Sequence, residues 1–126
     1  MAGKIVADTL EHSTAGSIAT NYVVNGSAKA WLHLDGTATF DASDTEIKES
    51  FNITTTLDGG TGRFSWSFVS VFNNLNFSEA LTSHQDETRL ATSSRSSTGS
   101  GCVTQGSDGS VADSNWVQAV EHGDLA

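Results

Sequence analysis

The stretch Asp58-Gly59-Gly60-Thr61-Gly62-Arg63-Phe64-Ser65-Trp66-Ser67-Phe68 indicates the fold most clearly. Its first five residues favour a tight turn, and the six that follow carry an aromatic side chain at every second position. Because successive side chains of a strand point to opposite faces, this spacing predicts a strand with one aromatic face. The preceding run, 47–57, predicts the antiparallel partner strand, with one face formed by Phe51, Ile53, Thr55 and Leu57.

A second alternating run covers residues 28–34. One predicted face is apolar and belongs to the core, and it carries Ala30, Leu32 and Leu34. The opposite face carries Lys29, Trp31 and His33. Because the opposite face of this strand is assigned to the core, the Trp31 side chain must be shielded from solvent by the N-terminal residues or by an identical neighbouring chain. We therefore predict an obligate homo-oligomer, a homotrimer, with Trp31, Lys29 and His33 at the subunit contact.

The rest of the chain follows the same pattern of short runs. Strands are predicted near 88–92, 102–105 and 115–121, with an irregular passage over 69–81 and a flexible loop over 93–101. Strands at this spacing without intervening helices predict an all-β fold, an antiparallel β-sandwich or jelly-roll-like domain over residues 28–126. Residues 1–27 lack a sustained period and are broken by Gly and Ser, which predicts an extended N-terminal arm.

Composition excludes several classes of function. The 126 residues include 15 acidic and 6 basic side chains, and the net charge of −9 repels nucleic-acid phosphates and anionic lipids. The chain has no apolar run of spanning length, and its first residues do not resemble a secretory signal, so we expect neither membrane insertion nor export. The single cysteine, Cys102, excludes an internal disulfide and is predicted to be a buried thiol.

No catalytic motif is present in the sequence. Nucleophile elbows, phosphate-binding loops and zinc-protease motifs are all missing, so we predict a protein that is not an enzyme and uses no cofactor. The four histidines stand singly, and the acidic segment 41–49 is better explained as a solvated loop than as a Ca²⁺ site. Phe64, Trp66 and Phe68 favour a buried sheet face over a surface that stacks sugars.

Several segments in a fixed order resemble a domain of tailed-bacteriophage virion proteins, the family often labelled tail fibre. They are the opening Gly3–Thr9, Val23–Trp31, Asp35–Thr37, Glu49–Ile53, Asp58–Phe64 and the closing Trp116–Asp124. The match spans about two thirds of the chain. It implies a virion structural protein without a catalytic site, in which residues 1–27 attach to another virion protein and residues 28–126 form a trimeric β-domain.

The resemblance also implies where a host cell-surface receptor, for example a glycan, would bind. In such families the variable part carries the recognition loops, which here are 73–87 and 93–101. The candidate recognition residues are Asn73, Asn74, Asn76, His84, Gln85, Asp86, Ser96 and Thr98. Two alternatives to a short tail fibre or receptor-binding module stay open: a capsid decoration or head-fibre protein, and a stand-alone carbohydrate-binding module that uses the aromatic stripe.

Overall fold

The computed structural model describes residues 5–41, 45–83 and 87–126, with the side chains of residues 12 and 87–91 outside that description. Its elements, in chain order, are β1 (Thr9–His12), β2 (Gly16–Ala19), α1 (Thr20–Gly26), β3 (Ala30–Leu34), β4 (Ile47–Phe51), β5 (Ile53–Asp58), β6 (Arg63–Phe68), β7 (Ser78–Ser83), β8 (Glu87–Ser96), β9 (Gly99–Gly106) and β10 (Val117–His122).

Eight of the described strands form two four-stranded antiparallel sheets. The first sheet has the strand order β4-β3-β10-β7, and the second has the order β5-β6-β9-β8. Strands β1 and β2 pair only with each other, as a separate hairpin. The prediction of an all-β antiparallel sandwich is confirmed at this level.

The core lies between the two sheets and comes from the alternating runs. The inward side chains of β3 and β6 are all nearly or fully buried: Ala30, Leu32, Leu34, Phe64, Trp66 and Phe68. Burying an aliphatic or aromatic side chain of this size contributes about 1.5–3 kcal/mol. The aromatic stripe on β6 is therefore a core face, as favoured, and it gives no basis for a sugar-stacking surface.

The run 47–57, predicted as one strand, is two strands in different sheets. Asn52 separates β4 from β5 and has a left-handed backbone with φ of 59°. This residue turns the chain, so that Phe51 is 55% exposed while Ile53 packs against the core. A register shift between Ile53 and Thr55 then changes the alternation within β5, and Leu57 is 64% exposed. The prediction of one shared face is wrong because strand alternation continues neither through a positive φ nor through a bulge.

The segment 93–101, predicted as a flexible loop, forms the end of β8, the turn and the start of β9 in one hairpin. Its Ser, Thr and Gly composition is typical of loops, but here the small side chains let β9 pack closely on the neighbouring strand β6. A Cβ atom on Gly99 would lie 2.4 Å from the Trp66 carbonyl oxygen on the neighbouring β6. The irregular passage predicted over 69–81 ends at residue 77 in the structure, because β7 begins at Ser78.

The N-terminal arm is not extended throughout, because α1 follows the β1–β2 hairpin. Residues 20–26 are poor helix formers, and tertiary contacts hold the first turn instead. The Thr20 N–H donates to the Asp8 carbonyl at 2.8 Å, and the Thr20 hydroxyl donates to the Ala7 carbonyl at 2.7 Å. No described side chain of α1 is buried, so the helix adds nothing to the sandwich core.

Candidate functional site

The outer face of the first sheet carries a row of apolar side chains across all four strands. In the strand register, Trp31 lies opposite Phe51 on β4 and Val120 on β10, and Val120 lies opposite Ala80 on β7. We call these four residues the apolar row. Phe51 is 55% exposed and Trp31 is half-buried, although the next residues on β3 are fully inside. The predicted position of Trp31, outside the core, is confirmed.

A second, polar row lies beside the apolar row, two residues further along each strand. Its members are Glu49, His33, Gln118 and Thr82, and the Thr82 hydroxyl donates to Gln118 Oε1 at 3.1 Å. The His33 ring stacks on Trp116 with 5.0 Å between the ring centroids. All members of the two rows except Phe51 line a shallow groove of about 440 Å³. This outer face presents both apolar surface and hydrogen-bonding groups.

Lys29 does not join this groove, although it was predicted at the same contact. Its ammonium group donates to the Val24 carbonyl and, at 2.7 Å, to the Ser27 hydroxyl. The Lys29 N–H donates to the Glu121 carbonyl at 2.8 Å. Lys29 therefore links the end of α1 to the first sheet, whereas Trp31 and His33 are brought together on the groove.

A second apolar surface belongs to the N-terminal residues. Ile5, Val6, Leu10, Val23 and Val24 line a common cleft of about 430 Å³, which we call the N-terminal cleft. Ile5 is 90% exposed and Val6 is 82% exposed. Residues of this type at such exposure are normally covered by a partner.

The described part of the predicted recognition loops lies at one end of the sandwich. Asn73, Asn74 and Asn76 are exposed in the connection before β7, where Asn74 Oδ1 accepts from the Asn76 N–H at 2.7 Å. Ser96 and Thr98 form the tip of the β8–β9 hairpin, and their hydroxyls lie 3.0 Å apart. His84, Gln85 and Asp86 lie outside the described residues.

Two links hold these predicted loop residues together. The Phe72 N–H donates to the Ser97 carbonyl at 2.8 Å, and the Arg95 guanidinium lies 4.3 Å from the centroid of the Phe77 ring. The Phe77 ring in turn stacks on Phe72, with centroids 4.4 Å apart. The hairpin tip and the 73–77 connection are thus supported by one aromatic cluster, which gives the loops a rigid base.

A buried carboxyl group was missed from the sequence. Glu121 lies on the same face of β10 as Val117 and Ala119, so its side chain enters the core, where it is fully buried. Its Oε1 accepts from the Trp66 indole N–H at 2.8 Å, while its Oε2 has no hydrogen-bond partner within the described part of the chain. Burial raises the pKa of this carboxyl to about 7, with a smaller upward effect from Glu79.

Cys102 is a buried thiol, as predicted. It is fully covered, and burial raises its pKa to about 12, so the thiol stays protonated at neutral pH. Within residues 5–41, 45–83 and 87–126, no three His, Cys, Asp or Glu side chains are placed to share a metal ion. No helix in the described ranges has the length and apolar character needed to cross a bilayer.

The architecture defines the chain as a small antiparallel β-sandwich with two open apolar surfaces. Comparisons with protein-family models, with curated proteins and with solved structures found no match. The functional argument therefore depends on the chain's own residues.

Proposed function

We propose that the chain is a non-enzymatic virion structural protein of a tailed bacteriophage, a short tail fibre or receptor-binding module that acts as a homo-oligomer. One observation carries the proposal: the sandwich closes its own core and still leaves the apolar row and the N-terminal cleft open. A chain that works alone in solution rarely keeps two such patches. A subunit of a larger particle needs them for its contacts.

The positions of the resembling segments support this assignment. Four of the six form framework rather than variable surface: β3, the crossover at Asn52, the β5–β6 turn and β10. The turn contains Gly60 and Gly62 at φ of 95° and 64°, conformations that glycine adopts without strain. Residues that determine the backbone conformation are expected to stay the same among related sequences, whereas loop residues vary.

The loop end provides the surface proposed for host contact. Asn73, Asn74, Asn76, Ser96 and Thr98 offer amide and hydroxyl groups on a rigid base, a chemistry that suits the hydroxyl groups of a surface glycan. Several copies on one particle raise the effective concentration of each later contact, so each single contact need only be weak.

Antibody labelling of phage particles tests the location. Immunogold electron microscopy with an antibody against the purified chain is expected to label tails, and preincubating susceptible cells with the chain should reduce adsorption. Thr98→Glu at the loop end should abolish this competition, whereas Thr61→Glu, exposed at the opposite end, should retain it. Label on heads would favour the decoration role instead, and particles without label would reject a virion protein altogether.

A further inference from the structure

We infer that the N-terminal cleft of one copy receives the apolar row of a second copy, with the Phe51 ring as the inserted side chain. This inference rests on the homo-oligomer of the proposed function and specifies its contact. Neither surface is covered by the described part of its own chain, as the 90% exposure of Ile5 and the 55% exposure of Phe51 show. Each is therefore open to a second copy.

The exposed area matches what a stable contact needs. The five cleft residues and Tyr22, which is 68% exposed on α1, together present on the order of 600 Å² if a fully exposed large side chain contributes about 150 Å². A standard interface buries about 800 Å² on each partner. The N-terminal surface supplies most of this area on one copy, and the apolar row with the polar row beside it forms the facing side on the other copy.

The two surfaces lie at the same end of the first sheet. The chain passes from α1 directly into β3, and Asn25 lines a shared pocket with Ser78 and His122, at the start of β7 and the end of β10. The apolar row crosses these strands two residues further in, at Ala80 and Val120, which is about 7 Å along a strand. Copies arranged around an axis near this end bring a cleft and a row together.

Shape and charge favour a contact of cleft with row. The cleft is concave, with a volume of about 430 Å³, while the Phe51 ring is exposed at the edge of the sheet. Such a contact can repeat around a ring, and it can also occur twice across a two-fold axis, where the row of each copy enters the cleft of the other. None of the nine residues of the cleft and the row is charged, so the net charge of −9 on each copy does not oppose the contact locally.

Two exposed positions allow the contact to be broken without touching the core. We expect the full chain to sediment as an oligomer, and Ile5→Asp and Phe51→Asp each to sediment at the 13.2 kDa of one chain. Leu57→Asp is the matched control, because Leu57 is 64% exposed on the second sheet, and it should leave the oligomer intact. An unchanged circular-dichroism spectrum and a cooperative thermal transition would show that the variants remain folded.

Mixing the two aspartate variants separates a contact of cleft with row from contacts of cleft with cleft or of row with row. The Phe51→Asp chain keeps a normal cleft and the Ile5→Asp chain keeps a normal row, so a 1:1 mixture should form heterodimers. A disulfide between Val6→Cys and Phe51→Cys should then join two chains, and Cys102, being buried, should not interfere.

Three results would overturn the inference. They are a wild-type monomer at micromolar concentration, a mixture that stays monomeric, and a Val6–Phe51 disulfide formed within one chain. None of them bears on the particle-labelling experiment. If the chain forms these oligomers but an antibody against it never labels virions, the proposed function is rejected and the contact between copies is retained.

Discussion

The buried carboxyl group of Glu121 makes the free energy of unfolding depend on pH. Its pKa in the folded chain is about 7, against 4.5 for an ordinary glutamate, so the folded state holds an extra proton between these values. Stability must therefore fall as pH rises from 4.5 to 7 and stay low above it. A pKa difference of one between the folded and unfolded chain is worth about 1.4 kcal/mol, so the loss reaches up to about 3 kcal/mol.

We predict that Glu121→Gln removes this pH dependence and stabilises the chain at pH 8. The glutamine oxygen still accepts from the Trp66 indole N–H, but the side chain carries no charge to bury. Urea denaturation at pH 5 and pH 8 measures both effects. The same substitution at Glu11, which is exposed on β1 and belongs to neither proposed contact surface, is the control and should change little. A variant that is less stable than wild type at pH 8 would contradict the assignment.

At the level of single residues, simple alternation accounts for much of the structure. It correctly places Leu32 inside and Trp31 outside, because one face of β3 packs on the core. The same alternation on β10 puts Glu121 inside with Val117 and Ala119. Its burial was not predicted, because a charged carboxylate is normally exposed. The indole N–H that donates to this carboxyl lies 55 residues away in sequence, and the pairing is visible only in the fold.

Asn52 determines how the chain passes from the first sheet to the second. Its side-chain amide donates to the Lys29 and Ser70 carbonyls, both at 2.9 Å, and its Oδ1 accepts from the Ser70 N–H at 2.6 Å. These bonds hold the crossover while the backbone has a positive φ. The neighbouring residues carry no turn signal, since Asn52 stands between residues that favour strands.

We predict that Asn52→Gly lowers the free energy of unfolding by about 2–3 kcal/mol, because three hydrogen bonds are lost while glycine tolerates the φ angle. Asn52→Ala should cost about 1 kcal/mol more, since it loses the same bonds and adds backbone strain. Denaturant titration of both variants separates the two contributions. Equal losses would indicate that the φ angle carries no strain.

The contact of β6 with β9 depends on glycines that composition alone suggested were flexible. We predict that Gly99→Ala destabilises the chain by about 1–3 kcal/mol, because the new Cβ atom would meet the Trp66 carbonyl oxygen at 2.4 Å. Gly26→Ala in α1 has open space and serves as the control. Thermal unfolding compares them, and a neutral Gly99→Ala would show that β9 moves away easily.

At the scale of the whole molecule, the charge of −9 opposes association of identical chains. We predict that the oligomer tightens as salt rises from 0.01 to 0.15 M, because the screening length falls from about 30 to 8 Å and the repulsion weakens. Sedimentation at several salt concentrations measures the trend. Weaker association at higher salt would show that attractive ion pairs, and not apolar surfaces, hold the copies together.

Only part of the candidate site could be predicted, because the rest depends on contacts between residues far apart in the chain. The sequence placed Trp31 outside the core and required cover for it, but it did not show that Phe51, Val120 and Ala80 extend the same row. That row depends on the pairing of strands far apart in the chain. The N-terminal cleft depends on α1, a helix that weak local propensity did not predict.

The position of β10 has a consequence for synthesis. This strand is translated after the other seven of the sandwich, yet it lies in the middle of the first sheet, between β3 and β7. Until the ribosome has released residues 117–122, β3 and β7 face each other across a gap, with unpaired backbone edges. A messenger RNA truncated before the codons of β10 therefore yields a polypeptide with two unpaired strand edges, which is open to proteolysis.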